Sequence, residues 1–76
     1  MNYVIVSLRT NCGEFTTDFG KNGNKYFISI FDKETHTFRL KEFERLDEAQ
    51  IKFCKLAEWC CAGLYSFADR ENFLFE

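Results

Sequence analysis

Four cysteines and one histidine are the residues best equipped for chemistry in this 76-residue chain, and their spacing argues against their using it. Cys12, Cys54, Cys60 and Cys61 with His36 are the donor types of a structural zinc site. Such sites take paired ligands at short fixed spacing, however, and adjacent Cys60 and Cys61 on a helix would direct their thiols ~100° apart. No metal and no cofactor are expected. A nucleophilic thiol needs a base, and His36 falls on an expected hairpin that nothing in the sequence brings toward a cysteine. Cys54, Cys60 and Cys61 share one expected helix, on which most pairs are too distant or wrongly directed to bridge. No apolar signal segment begins the chain, so four reduced thiols in a cytoplasmic protein are expected.

Glu42, Glu44, Asp47 and Glu48 cluster where a strand gives way to a helix, and paired carboxylates in a cleft do acid–base work. Lys41 and Arg45 interleave with them, so the expectation is a solvated junction in which Asp47 and Glu48 complement the helix dipole. Gly20 and Gly23 belong to a hairpin turn, not to a strand-to-helix phosphate cradle. No enzyme is expected.

Binding chemistry has more support. On a helical wheel Trp59 lies away from the stripe Phe53, Leu56, Cys60 and Leu64, on the side shared with Lys52, Lys55 and Ala62, with Ile51 nearby. Tyr65 follows at the helix end. An outward aromatic framed by charge has the make-up of an interface hot spot, since Trp and Tyr dominate energetically important positions. The partner-binding set is therefore Trp59, Ile51, Lys55, Lys52 and Tyr65. A tail folded back over Trp59 is the other reading, and periodicity does not decide between them.

The elements that would position these residues begin with Tyr3 to Arg9, whose alternation and β-branched content predict a strand buried at least partly on both faces. Thr10 to Gly13 is turn chemistry, and Glu14 to Phe19 a short second strand. Asn22-Gly23 is the preferred pair of a type I′ hairpin turn. Lys25 to Phe31 is a strong strand, Asp32 to Thr35 reverses the chain, and His36 to Phe43 returns. Phe38 and Leu40 share a face with His36 there, and Phe43 breaks the alternation, as at a bulge or an early strand end. Asp47 and Gln50 have the spacing of a capping box, with Leu46 and Ile51 placed as a hydrophobic staple. The helix behind them, Glu48 to about Tyr65, carries the core stripe Ala49, Phe53, Leu56, Ala57, Cys60 and Leu64. Phe73, Leu74 and Phe75 want cover as a short last strand or a strap.

The expectation is a single α+β domain over 1–76: an antiparallel β-meander of three to four strands packed against one C-terminal helix, with a short aromatic tail. Its 18% aromatic content makes a compact core feasible at this length. Ten Lys and Arg against twelve Asp and Glu give a formal net charge of −2, which disfavours nucleic acid. No stretch reaches transmembrane length. The expected function is a small non-enzymatic protein-binding module acting stoichiometrically, with a protein partner or a homodimer. By analogy, a phage or other mobile element could encode such an inhibitor of a host protein complex. The alternative is a nucleic-acid binder using the sheet face, where Arg9, Lys25, Lys33, Arg39 and Lys41 alternate with aromatics. An orphan enzyme subunit comes third.

Overall fold

β-Branched and aromatic residues dominate the first half of the chain, and that half is sheet. The computed structural model describes residues 4–60 and 65–76. Its elements are β1 (Val4–Cys12), β2 (Phe15–Asn22), β3 (Lys25–Asp32), β4 (Thr37–Phe43), α1 (Leu46–Cys60) and α2 (Phe67–Leu74). The strands form one antiparallel sheet in the order β1-β2-β3-β4, and the architecture is α+β.

Turn chemistry sets the registers. Cys12 pairs with Phe15 and Asn22 with Lys25, so the two-residue loops are Gly13-Glu14 and Gly23-Asn24. Each opens on a glycine at positive φ, +60° and +65°, the glycine placement of type II′ turns. The expected Asn22-Gly23 centre is thus one residue early, because Asn22 belongs to the ladder. At the third hairpin Asp32 Oδ1 accepts from the amides of Glu34 at 2.9 Å and Thr35 at 3.4 Å. His36 closes that loop at φ 58°.

Ladder partners share a face. Thr17, Phe19, Ile28, Ile30 and Phe43 point toward the helices, where Ala49, Phe53 and Leu56 of α1 and Leu74 of α2 complete the buried core. Each of the Phe, Ile and Leu side chains among them contributes roughly 1.5–3 kcal/mol by leaving water. Of the expected stripe, Ala57 is half-buried; the Cys60 side chain, Cys61, Leu64 and the helix through Gly63 lie outside the described residues.

Four expectations need correction. β1 is an edge strand, and Val4, Ile5, Val6 and Leu8 are exposed instead of buried. In β4 the alternation continues in register through Phe43, so Arg39, Lys41 and Phe43 face the helices while Phe38 and Leu40 point to the open side. Phe43 broke the pattern because the apolar pair Phe38 and Leu40 is the outward one. Helix α1 starts at Leu46, which places Asp47 inside its first turn. There Asp47 accepts from Glu48 N at 2.9 Å and pairs with Arg45, and Leu46 and Ile51 are exposed, so no staple closes. The capping box is instead at α2, where Ser66 Oγ accepts from Asp69 N at 3.2 Å and Asp69 accepts from Ser66 N at 3.0 Å. The tail is therefore a second helix, neither strand nor strap, and the sheet is covered by two helices instead of one.

Candidate functional site

The outer side of α1 meets α2 along a seam built from aromatic and basic residues. Trp59 is half-buried in it, stacked on Tyr65 with ring centroids 4.1 Å apart and tilted against Phe73 at 4.8 Å. Both aromatics come from the segment after α1, so α2 covers the indole. Lys52 is half-buried beside it. Its Nζ donates to the Phe73 carbonyl at 2.8 Å and stands 4.2 Å from the centre of the Phe73 ring, tying α1 to the end of α2.

Arg70, at 1% exposure, locks the other end of the seam. The capping box starts α2 directly after Ser66, and Arg70, four residues on, is turned inward. Its Nη2 donates to the carbonyls of Trp59 at 2.9 Å and Tyr65 at 3.4 Å, and its guanidinium carbon lies 4.2 Å from the Phe15 ring centre. A cation at the carboxyl end of α1 also opposes that helix's dipole. Composition conceals this role, because Arg is rarely buried; the pattern Ser66-x-x-Asp69 was the signal that could have found it.

Of the five residues expected to bind a partner, the structure leaves two on the surface. Ile51 is 72% exposed, and Lys55 is exposed with its Nζ 4.0 Å from Glu58 Oε2. Lys52, Trp59 and Tyr65 are engaged in the seam beneath them. Two shallow hollows flank Ile51, and Phe73 lines both. One extends over Lys41, Phe43 and Glu48, and the other runs along Cys54, Lys55 and Glu58. Phe73 was not foreseen, since nothing in an irregular-looking tail predicts which ring turns inward.

The chemistry-bearing residues are dispersed. Cys12 on β1 is half-buried and Cys54 on α1 exposed, both unbridged, and His36 packs its ring on Phe31 in the β3–β4 loop. Among the described residues no three His, Cys, Asp or Glu side chains are placed to hold a metal ion. The carboxylates Glu42, Glu44, Asp47 and Glu48 are all exposed. Hydrogen bonds from Arg45, then from the Glu48 amide, hold the Asp47 carboxyl below its ordinary range, and the same contact raises Arg45. Such an Asp is a weak proton carrier near neutrality. Among the described residues, no helix is long and apolar enough to cross a membrane. No protein-family model, curated protein or solved structure significantly matches the chain.

Proposed function

We propose that the chain is a non-enzymatic protein-binding module that acts stoichiometrically through the outer face of α1 at its seam with α2. The observation that carries this reading is Ile51, 72% exposed between two hollows that share Phe73 and framed by Lys55 and Glu58. An exposed aliphatic above a rigid aromatic floor has the make-up of an interface anchor, because little side-chain entropy remains to be lost on binding. Trp59 and Tyr65 stiffen this surface from beneath. Inhibition of a host protein complex, of the kind mobile elements encode, is a role that such a module would fill by analogy alone.

The test compares capture from a lysate of the native host by the immobilised wild type, Ile51→Glu and Trp59→Ala. Ile51→Glu should lose tenfold or more of a specific partner, about 2 kcal/mol for a hot-spot anchor, with an unchanged thermal melt. Trp59→Ala should lower the melt itself, by about 2–4 kcal/mol of stability, because its stacking partners lose their contact. Equal capture by wild type and Ile51→Glu would remove the helical face from consideration.

A further inference from the structure

We infer that β1 is a self-association edge, at which two copies of this chain pair β1 to β1 antiparallel and join their sheets into one. The two sheet edges are protected very differently. β4 carries Arg39, Lys41 and Glu42, and Arg39 is ion-paired to Glu71 of α2, so that edge is charged and tied to a helix. Along β1 the only charged residue is Arg9, whose Nε and Nη2 are held by both carboxylate oxygens of Asp18 at 2.7 and 2.9 Å. Among the described residues, the rest of the free edge offers unpaired backbone and the exposed side chains Val4, Ile5, Val6 and Leu8, without the lysines, prolines or cover that ordinarily blunt such an edge.

A second copy fits this edge by charge and by face. Each copy neutralises its own Arg9, so pairing brings no unmatched charge into the contact. The register shift between Val6 and Leu8 puts Val4 and Val6 on the open side of the sheet and Ile5 on the helical side. A register centred on Ile5 then sets Ile5 against the partner's Ile5 and Val4 against the partner's Val6, apolar on apolar and on matching faces. This contact is isologous and closed by one two-fold axis, the commonest arrangement of homo-oligomers. That axis is perpendicular to the sheet, so both helical layers fall on the same side. A strand pair this short buries less than the ~1,200 Å² of a standard interface, so the association is weak.

Sedimentation equilibrium from about 1 µM to about 1 mM covers the affinity range of so small a contact. The weight-average mass of the wild type should rise from 9.0 kDa toward twice that value. Ile5→Lys should stay at the monomer mass with an unchanged melt, and Ile51→Glu should still dimerise, which separates this inference from the proposed partner face. Amide exchange at residues 4–6 of the wild type should slow severalfold at the high concentration, a readout that needs no variant. A monomer at every concentration overturns the inference. So does a dimer that Ile51→Glu dissociates and Ile5→Lys does not, or one whose residues 4–6 gain no protection.

Discussion

Arg70 is buried without a carboxylate partner among the described residues, and its Nε and Nη1 have no hydrogen-bond partner there. Burying a guanidinium costs several kcal/mol, whereas a bond from a charged donor to a carbonyl returns about 1.5–3 kcal/mol. The two carbonyl bonds and the Phe15 ring therefore roughly offset the desolvation instead of exceeding it. Arg70→Met keeps most of the volume and removes the charge, so urea denaturation should place it within about 1 kcal/mol of wild type or above it. Arg70→Ala leaves a cavity and should lose about 2–4 kcal/mol. If Met proves as costly as Ala, the carbonyl bonds hold α2 in place and packing does not. Thr17 poses the same question on a smaller scale. Its hydroxyl is buried at 1% exposure and lacks a partner among the described residues, so Thr17→Val should gain about 1 kcal/mol in the same assay.

Among the elements, the β1–β2 pair depends on one glycine. A Cβ at Gly20 would collide with the backbone carbonyl of Ile5 and lie 2.9 Å from Phe27 Cε1. Phe27 pairs directly across from Gly20 and is 2% exposed, so its ring occupies the space the missing side chain leaves. The carbonyl cannot yield without moving the strand. Gly20→Ala should thus cost about 1–3 kcal/mol by overpacking, and faster amide exchange should appear first at residues 4–6, where β1 meets Gly20. Uniform exchange across all four strands would show that the strain is spread instead of local. Strand existence and order of type were legible from alternation and turn residues, and Ala49, Phe53 and Leu56 were legible as the core side of α1. Edge position was not, because Val4 to Leu8 reads the same whether one neighbour or two will pair with it. Nor was the second helix, since Phe73 to Phe75 looks like a strand until the Ser66 and Asp69 caps commit the backbone. The seam that organises the candidate site depends on that helix, which is why Trp59 reads as an outward aromatic in the sequence although it is half-buried against the core, Tyr65 and Phe73.

Across the whole molecule the arrangement of charge matters more than its sum. Ten basic residues would suffice for a phosphate-binding surface if they were gathered and unopposed. Arg9 is held by Asp18, Arg39 by Glu71 and Arg45 by Asp47, while Lys55 lies near Glu58. Lys52 is turned into the helical seam and Arg70 is buried. On the open side of the sheet, where a nucleic acid would lie, Phe38 and Phe31 do offer rings for stacking, but the arginine beside them, Arg9, already has its carboxylate. Each phosphate neutralised adds roughly 0.7–0.9 to the slope of log affinity against log salt, so a real nucleic-acid binder of this size would show a slope of several. For this chain, anisotropy with labelled single-stranded RNA or DNA should give affinity no tighter than ~10⁻⁴ M at physiological salt and a slope near one at low salt. A slope of three or more, with affinity that falls at least tenfold in Phe38→Ala, would show that the open sheet face binds nucleic acid despite its internal ion pairs, and would displace the helical face as the principal surface.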